Sequence, residues 1–388
     1  MQPGTSNSVR HLHFTQSLEP LYGGGLATST VALHRQLLAM GAPSTLCSTY
    51  GEAPQQPAEQ TLEWPRTKPD FLYFAPAMRP QLETLVGSAD VLHGHGFYVG
   101  TNYFFGGEAR RQNKALVYHA HGFFEPYILN RSRWKKRLVH WLFEDANFRH
   151  ARLWRALTAK EEGQIRAIGI KAPIVVVPVG IDLAAFEAPF SAHTAIETPL
   201  APQLRKTRRR ALFVSRLHPK KGLDLLVPAW AGLNSLRQDW ELILAGPDEA
   251  GHATKVADWI WENHLENSVT WVGKVSTAAK ISLLKSADLF VLPSYSEGFT
   301  SAILEAMAAS VPVVATTACN FPELFRNGGG WECDVSRESL AAALEAALRA
   351  SDEERRQRGQ AGRKLLEQHY TWPQIARQLV DACETYCH

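Results

Sequence analysis

Two carboxylates, Glu297 and Glu305, lie on either side of a turn that follows an apolar segment at 289–292. The apolar segment is typical of a buried strand, and Gly298 allows a tight turn before a predicted helix. The backbone amides of residues 299–301 then stand at the positive end of that helix, where a phosphate binds well. Carboxylates accept hydrogen bonds from hydroxyl groups, so a ribose or a hexose suits each of them. The alternative is that Glu305 is an ordinary helix residue and Glu297 a solvated loop residue.

Two cations follow another strand-like segment, at 211–214. The sequence Ser-Arg-Leu-His-Pro-Lys-Lys-Gly at 215–222 places Arg216 and Lys221 between this strand and a predicted helix. Arginine binds phosphate oxygens through two parallel hydrogen bonds, and lysine adds a point charge that can move. Together they could neutralise a diphosphate leaving group without a metal ion. A solvated loop is the alternative, and Lys220 could substitute for Lys221.

Histidines stand at the ends of two strand-like segments. His93 and His95 are two residues apart, which places both on one face of a strand and suggests a metal site. No third ligand is close in sequence, so packing at the strand end or a polar lining of a cleft is favoured. His121 follows the segment 115–120, and a neutral imidazole there could donate to or accept from a hydroxyl. A buried histidine with a satisfied hydrogen bond is the alternative.

Three consecutive glycines at 23–25 precede a predicted helix at 27–40. Glycines in this position let a backbone approach a phosphate closely. The spacing is not the G-x-G-x-x-G pattern of dinucleotide sites, and the later acidic partner is missing. This argues against an NAD(P)-dependent oxidoreductase, and a plain strand-to-helix turn remains the alternative.

Strand-like and helix-like segments alternate through both halves of the 388 residues. The alternation predicts an α/β fold with parallel sheets, built as two doubly wound, Rossmann-like domains that face each other across a cleft. We expect an N-terminal domain at 1–185, a linker rich in Pro, Ala and Thr at 186–207, and a C-terminal domain at 208–372. The last helix, 373–388, is expected to cross back onto the N-terminal domain.

The C-terminal half resembles a known family. Glu-Gly-Phe at 297–299, the second glutamate, Ala-Met-Ala at 306–308 and Pro-Val-Val-Ala at 312–315 are similar to the retaining family-four glycosyltransferases of the GT-B fold. The motifs Ser-Arg-Leu at 215–217 and Lys-Gly at 221–222 match the pattern of the same family. The likeness is strong at 211–326 and looser in the N-terminal half. Ser310 departs from the family, which usually has glycine before this strand.

The resemblance implies transfer of a hexose, with retention, from a nucleotide-diphosphate sugar to a hydroxyl of a glycan or a lipid-linked acceptor, in polysaccharide or glycolipid assembly. UDP-, GDP- and ADP-sugars are the candidate donors, and neither a cofactor nor a metal ion is expected. The implied catalytic residues are Glu297, Arg216, Lys221 and His121. The implied donor-binding residues are Gly24, Gly25, Gly246, Val275, Gly298, Phe299, Thr300, Ser301 and Glu305.

Composition limits the class of protein. Apolar residues make up 45% and charged residues 20%, as in soluble globular proteins, and the net charge of +3 does not by itself demand nucleic acid or membrane. Five cysteines, an odd number without a framework spacing, fit a reducing cytoplasm. No apolar run approaches the roughly 18 residues of a membrane-spanning helix, and the polar N-terminus does not look like a signal peptide. We therefore expect a cytoplasmic protein, or one held peripherally at the inner face of the membrane.

The segment from Arg131 to Phe143 has two interpretations. Five cations precede an apolar stripe that includes Trp134, Leu138 and Trp141, which share one face at helical spacing. A core-facing amphipathic helix with a solvated basic face is one reading. Contact with an anionic membrane surface is the other, and it fits the lipid-linked acceptors implied by the resemblance.

Other functions are compatible with the same residues. A nucleotide-sugar epimerase or a phosphorylase could use this architecture, and so could a non-catalytic protein that binds a nucleotide sugar. Release of free nucleoside diphosphate only in the presence of an acceptor would distinguish transfer from all of these.

Overall fold

A computed structural model describes residues 9–125, 139–187, 209–249 and 251–387. The chain divides into two compact units, one formed by Met1–Gly180 with Trp372–His388 and the other by Ile181–Thr371. Within the described residues, every helix is too short or too polar to cross a lipid bilayer. The predicted linker falls mostly at 188–207 and the basic part of the 131–143 segment at 131–138, and both lie outside the described residues.

The first unit is built on a parallel sheet of seven strands in the order β3-β2-β1-β4-β5-β6-β7. Strands β1, β4 and β5 are buried along their whole length, as strands of a sheet covered on both faces must be. The order reverses between β1 and β4, so those two neighbours send their following loops in opposite directions. The strands are β1 His11–Thr15, β2 Ser44–Tyr50, β3 Thr61–Pro65, β4 Val91–His95, β5 Ala115–His119, β6 Leu153–Ala156 and β7 Ile174–Val176.

Helices cover this sheet on both sides. Leu33 and Leu37 of the first helix pack in one buried cluster with Ile375 and Leu379 of the last helix, which ties the C-terminal segment to this unit. The helices are α1 Pro20–Ala39, α2 Arg79–Ser88, α3 Gly100–Arg111, α4 Asp145–His150, α5 Ala159–Ala167 and, from the C-terminal segment, α14 Trp372–Tyr386. A π-helical turn, His140–Glu144, leads into α4.

The second unit has a parallel sheet of six strands in the order β10-β9-β8-β11-β12-β13. Its order reverses between β8 and β11, and one continuous hydrophobic core lies on both faces. The strands are β8 Arg209–Val214, β9 Trp240–Ala245, β10 Val269–Trp271, β11 Leu289–Leu292, β12 Val313–Thr316 and β13 Gly330–Cys333. The helices are α6 Ala184–Glu187, α7 Leu223–Gly232, α8 His252–Glu262, α9 Thr277–Lys285, α10 Ser301–Ala308, α11 Pro322–Arg326, α12 Arg337–Arg349 and α13 Asp352–His369.

The predicted fold class, two doubly wound parallel-sheet units, is confirmed. Most of the strands and helices named from the sequence are present with ends that differ by one to three residues. Thr158 caps α5 as expected, because its hydroxyl accepts a hydrogen bond from the Glu161 amide at 3.1 Å. The sequence treated 52–69 as a loop, whereas β3 lies inside it. Its proline-rich flanks hid a short edge strand in which only Trp64 is buried.

The glycine segment near residue 24 is not a loop before a helix. The helix begins at Pro20 and runs to Ala39, and Gly24 interrupts it with φ 50° and ψ −143°. Only glycine adopts this backbone without strain, so the turn is a kink between two helical pieces. A side chain added at Gly24 or Gly25 would meet no atom within 4 Å, so this backbone is openly accessible within its unit.

Two helix-interior glycines provide a test of the packing. An alanine methyl at Gly359 would lie 1.9 Å from the carbonyl oxygen of Ser310, whereas one at Gly163 would meet nothing within 4 Å. We expect Gly359→Ala to lower the free energy of unfolding by about 1–3 kcal/mol through overpacking. The matched variant Gly163→Ala should raise it by about 0.5–1 kcal/mol, because alanine is the better helix former. Urea denaturation followed by circular dichroism measures both, and equal midpoints would contradict the close approach of α13 to Ser310.

Candidate functional site

The loops that follow β8, β11 and β12 meet at one edge of the second unit's sheet. The Tyr295 amide donates to the Lys220 carbonyl at 2.8 Å, and the Glu297 amide donates to the Ala318 carbonyl at 3.0 Å. These bonds join all three loops next to the place where the strand order reverses, between β8 and β11. In open α/β sheets ligands bind outside the carboxyl ends of the strands at this point.

Lys221 and Glu297, which the sequence placed in separate roles, form an ion pair. The Nζ of Lys221 lies 2.6 Å from Oε1 of Glu297, and only 15% and 11% of the two side chains are exposed. The Ser294 hydroxyl donates to the same carboxylate oxygen at 2.6 Å. The side-chain amide of Asn320 donates to the Glu297 carbonyl. Glu297 is therefore held from three sides, at the centre of the three loops.

Glu305 has a cationic partner of its own. The Nζ of Lys280, in α9, lies 2.5 Å from its Oε1, with 25% and 18% of the side chains exposed. Glu305 lies in the second turn of α10, so the pair links two helices that flank β11. Both carboxylates that the sequence singled out are thus oriented by lysines.

Arg216 is turned toward a third carboxylate. Its Nη1 lies 2.7 Å from both oxygens of Glu249, and 61% of its side chain is exposed. Among the described residues it makes no ion pair or hydrogen bond with Glu297 or Glu305. The structure therefore does not place Arg216 in contact with the Lys221–Glu297 pair, although both follow β8 in the chain.

The first turn of α10 offers free amide groups. The Phe299 ring packs near Phe321 and Tyr370, with ring centroids 5.8 and 6.4 Å apart, which fixes the backbone before the helix. None of the described residues accepts a hydrogen bond from the amides of Phe299, Thr300 or Ser301. Three unpaired donors at the positive end of a helix dipole form a site for an anion.

Gly246 has a packing role at the end of β9. Its φ is 145°, and a side chain there would lie 1.9 Å from the Ser215 carbonyl oxygen. Its amide donates a hydrogen bond to the Gly273 carbonyl at 2.7 Å, and its own carbonyl accepts one from the Trp271 indole at 3.1 Å. Val275 follows β10 and packs against the core of the unit. Contact of either residue with a ligand stays a prediction, as it does for Gly298.

His121 lies in the first unit, just beyond the end of β5. It is half-buried and has φ 48°, a left-handed backbone that is uncommon for residues other than glycine. The turn is held by Glu161, whose carboxylate accepts from the amides of Gly122 and Leu157. Burial lowers the pKa of His121 to about 3, so its imidazole is neutral near pH 7.

A cluster of histidines adjoins His121. The ring nitrogens of His95, His119 and His121 lie within 4.8 Å of one another, which is close enough for a metal ion to be considered. These nitrogens are already engaged, because His95 Nδ1 and His121 Nε2 are 3.0 Å apart. The Arg155 guanidinium, a buried cation, lies 3.3 Å from His119 Nδ1. A divalent cation would need about 2.0–2.1 Å to each nitrogen and would sit beside that guanidinium, so the donor set fits a metal poorly.

Several residues of the site were not found from the sequence. Lys280, Glu249, Ser294 and Asn320 each contact a predicted residue, but their partners lie three to 33 positions away. Ser294 and Asn320 lie inside the stretch that the sequence singled out, from residue 287 to residue 322. The others belong to neighbouring elements, and nothing in the local pattern of α9 marks Lys280 as different from a solvated helix lysine.

The arrangement in the second unit suits a phosphorylated sugar. Lys221, Arg216 and the free amides provide positive potential for phosphate, and the two glutamates provide acceptors for hydroxyl groups.

Comparison with protein families gives two matches that together span most of the chain. Residues 197–365 match the model described as glycosyl transferases group 1, and residues 23–185 match the one described as glycosyltransferase family 4.

Curated relatives match over part of their length. The lipopolysaccharide core biosynthesis mannosyltransferase LpsB of Rhizobium meliloti is 31% identical over 252 residues, 61% of this chain and 69% of LpsB. The phosphatidyl-myo-inositol mannosyltransferase of Mycobacterium leprae is 30% identical over 226 residues, 57% of this chain and 56% of that protein. A D-inositol 3-phosphate glycosyltransferase of Kineococcus radiotolerans is 37% identical over 153 residues, 37% of this chain and only 34% of that protein.

Solved structures match almost the whole chain. Anabaena HepE in complex with UDP and glucose superposes with a TM-score of 0.75, at 20% identity, over 97% of this chain and 100% of HepE. The sucrose-phosphate synthase of Thermosynechococcus elongatus gives 0.73, at 18% identity, over 97% and 98% of the two chains. At these identities the likeness concerns the fold, and it confirms the GT-B class expected from the sequence.

The Lys221–Glu297 pair can be tested through stability. Lys221→Met leaves a mostly buried carboxylate without its cation, so we expect the free energy of unfolding to fall by about 1–3 kcal/mol. The double variant Lys221→Met/Glu297→Gln should recover part of the loss. With the single variant Glu297→Gln it completes a double-mutant cycle in urea, which gives the coupling energy. Lys364→Met, at an exposed lysine of α13, is the control and should change stability by no more than about 0.5 kcal/mol. A coupling energy of zero would show that the two side chains do not interact.

Proposed function

Since this chain belongs to the family of group 1, or family 4, glycosyltransferases, we propose that it transfers a hexose, with retention, from a nucleotide-diphosphate sugar to a hydroxyl of a glycan or lipid-linked acceptor. The observation that carries the proposal is the junction of the β8, β11 and β12 loops. There, a lysine paired with a glutamate lies beside a helix N-terminus whose amides have no acceptor among the described residues.

The diphosphate is assigned to the cations and the free amides. Arg216 and Lys221 are each held by a carboxylate, at 2.7 and 2.6 Å. A diphosphate carries more charge than either carboxylate, so it competes for both cations and adds hydrogen bonds from the amides at residues 299–301. As the sugar–phosphate bond breaks, negative charge grows on the leaving phosphate. Fixed donors aimed at that charge stabilise the transition state more than the ground state.

The hydroxyl-binding roles go to the carboxylates. We assign Glu305 to the ribose, because Lys280 fixes its position inside α10 and leaves one oxygen for hydroxyl groups. Glu297 is assigned to the hydroxyls of the transferred sugar, and His121 to the same sugar. Gly24, Gly25, Gly246, Val275 and Gly298 complete the proposed donor contacts. No metal ion or cofactor takes part in this scheme.

The choice of substrates follows the relatives and is part of the proposal. HepE has been crystallised with UDP and with UDP-glucose, and the relatives LpsB and the mycobacterial enzyme are named as mannosyltransferases. For this chain UDP-, GDP- and ADP-sugars remain the candidate donors. Thermal-shift measurements with each, against the matching nucleoside diphosphate, would identify the base and the sugar.

The electrostatic assignment can be tested by turnover. We expect Lys221→Ala and Arg216→Ala each to lower kcat by about 10²–10³-fold, because each removes a donor to the developing charge. Arg349→Ala, at an exposed arginine of α12, is the matched control and should leave turnover unchanged. Release of nucleoside diphosphate is measured with and without acceptor. Release that needs no acceptor would argue for another reaction on this fold, and near-normal rates in both site variants would refute the site.

We further propose that the protein binds an anionic membrane surface through the segment 131–143. The support is at its described end, where Trp141 and Leu142 are 76% and 57% exposed. Phe143 packs near the Tyr103 ring of α3, with centroids 5.7 Å apart, so the exposed pair is anchored to the unit. The five cations at 131–137 precede it in the chain. Aromatic and basic residues together are typical of a surface that inserts shallowly between anionic lipids.

The membrane proposal has a matched control in the chain. Trp141→Ser/Leu142→Ser should weaken co-sedimentation with anionic vesicles about tenfold, because two apolar side chains no longer leave water. Trp261→Ser, at a tryptophan of α8 that is 70% exposed, should change nothing. Wild-type protein that fails to bind anionic vesicles at low salt would end the proposal.

A further inference from the structure

Three neighbouring strands of the first unit each carry histidines two residues apart. Of these histidines, the proposed reaction uses only His121. The pairs lie on β1, on β4, and at the end of β5, where the second histidine is just past the strand. Five of the six are at most 2% exposed, and only His121 is half-buried. The six are His11, His13, His93, His95, His119 and His121.

The six rings form two hydrogen-bonded rows that run diagonally across the strands. From one ring to the next, each row moves to the neighbouring strand and two residues toward its carboxyl end. His93 is the register partner of His13 and His119 is that of His95, so each bond joins histidines that are offset by two residues. The row that ends at the buried His119 is called the closed row. It joins His11 Nδ1 to His93 Nε2 at 2.9 Å and His93 Nδ1 to His119 Nε2 at 3.0 Å. The row that ends at the half-buried His121 is called the open row, and it joins His13 Nδ1 to His95 Nε2 at 3.0 Å and His95 Nδ1 to His121 Nε2 at 3.0 Å.

Every ring in these rows is neutral near pH 7. Burial lowers the pKa of His11 to about 4 and that of His121 to about 3, and it holds the pKa of the other four well below the usual range. A neutral imidazole has one N–H and one lone pair. Each ring inside a row must therefore donate from one nitrogen and accept at the other, so all the bonds of a row point the same way.

Arg155 fixes the direction of the closed row. Its Nη1 lies 3.3 Å from His119 Nδ1, and a guanidinium can only donate. His119 must then carry its proton on Nε2 and donate to His93, which in turn donates from Nε2 to His11. The proton of His11 also lies on Nε2, an atom that is buried and has no partner among the described residues. The closed row is thus locked in the Nε2–H tautomer.

The open row has no such lock. No described residue forms a hydrogen bond with His121 Nδ1, and His13 Nε2 at the other end is buried without a partner. Two directions satisfy the bonds inside the row. In one, His121 offers a lone pair at Nδ1 and His13 buries an unpaired N–H. In the other, His121 offers an N–H at Nδ1 and His13 buries only a lone pair.

Two observations favour the second direction. The rows are stacked, with centroids of His13 and His93 4.3 Å apart and those of His95 and His119 4.1 Å apart, at angles of 11° and 23°. Stacked dipoles at this distance attract when they point in opposite directions, and the closed row points toward His11. The open row then points toward His121. An orphaned buried N–H is also rarer, and therefore costlier, than an orphaned acceptor.

We propose that His13 and His95 act as positioning residues that hold His121 in the Nδ1–H tautomer, so that His121 donates a hydrogen bond to an oxygen of the bound sugar. This inference rests on the proposed function, in which His121 contacts the transferred sugar. It adds which ring nitrogen of His121 contacts the sugar and why that nitrogen carries the proton. His121 keeps its proton throughout, and its role is to donate to an oxygen of the ligand.

The tautomers can be read directly in the wild-type protein. In protein labelled with ¹⁵N only at histidine, long-range ¹H–¹⁵N spectra distinguish Nδ1–H from Nε2–H rings, and His121→Gln identifies the His121 signal. We expect Nδ1–H for the open row, a tautomer that is the minor one in water, and Nε2–H for the closed row. An Nε2–H signal for His121 would overturn the proposal. So would a zinc titration that shifts His95, His119 and His121 together at stoichiometric metal, because their lone pairs would then serve a metal.

Two variants, at histidines that are buried to the same extent, test how the open row affects binding of the sugar. His95→Phe interrupts the open row. His93→Phe interrupts the closed row but leaves the bonds of the open row in place, and it also leaves the stack of His95 on His119, whose tautomer Arg155 still fixes. We expect His95→Phe to weaken binding of the intact sugar nucleotide about three- to tenfold, the worth of one neutral hydrogen bond, and to leave binding of the nucleoside diphosphate unchanged. His93→Phe should change neither. His95→Gln, whose amide can accept from His13 and donate to His121, should recover most of the loss.

The outcomes separate this inference from the proposed function. If His121→Ala abolishes transfer and His95→Phe binds the sugar nucleotide like His93→Phe, the positioning role fails and the function stands. If no sugar nucleotide binds or turns over, the function fails, while the wild-type spectrum still decides the direction of the open row. If His95→Phe does not fold, His95→Gln and that spectrum carry the test.

Discussion

The reversal of strand order in each parallel sheet is the constraint on which the polar cluster of each unit depends. Between β8 and β11 the chain leaves neighbouring strands in opposite directions, so no crossover helix covers the gap and the following loops can bond to each other. The same reversal between β1 and β4 in the first unit is crossed by the hydrogen bond between His13 and His95 and by the one between His11 and His93. In each unit, polar groups that are far apart in the chain become neighbours beside the reversal.

Charge balance in the second unit shapes how a ligand enters. Lys221, Arg216 and Lys280 are each paired with a carboxylate, so these six side chains together carry little net charge. The pairs differ in exposure. Arg216 is largely exposed and its pair with Glu249 is easily exchanged, whereas Lys221 is mostly buried and its pair with Glu297 is costly to break. In the proposed complex, a diphosphate would therefore recruit Arg216 at little cost, while Lys221 would stay close enough to Glu297 to contact phosphate and carboxylate together.

The sequence was sufficient for the architecture and for residues that act near their own strand ends. Lys221, Glu297 and the turn before Ser301 were found because a strand, a glycine or proline and a helix start lie within a few positions of each other. Lys280 and Glu249 could not be found, since their partners depend on which strands are neighbours. The kink at Gly24 was predicted as a loop, because a glycine run weakens any helical pattern even where the helix continues on both sides. The two histidine rows depend on strand register, which a single sequence does not encode locally, so His93 and His95 were visible only as a pair without a third partner.

The histidine rows also show why one buried arginine matters to a distant half-buried ring. A carboxylate in place of Arg155 would accept a hydrogen bond from His119 Nδ1. All the bonds of the closed row would then reverse, and His11 Nε2 would carry a lone pair instead of a proton. The stacking energy between rows would then favour the opposite direction in the open row, and His121 would present an acceptor instead of a donor. The guanidinium is held by the carbonyls of Val177 and Pro178, so its orientation is set by the end of β7 and not by the histidines. The hydrogen-bonding character of His121 is thus determined by the backbone of an edge strand, through two stacked rows of neutral rings.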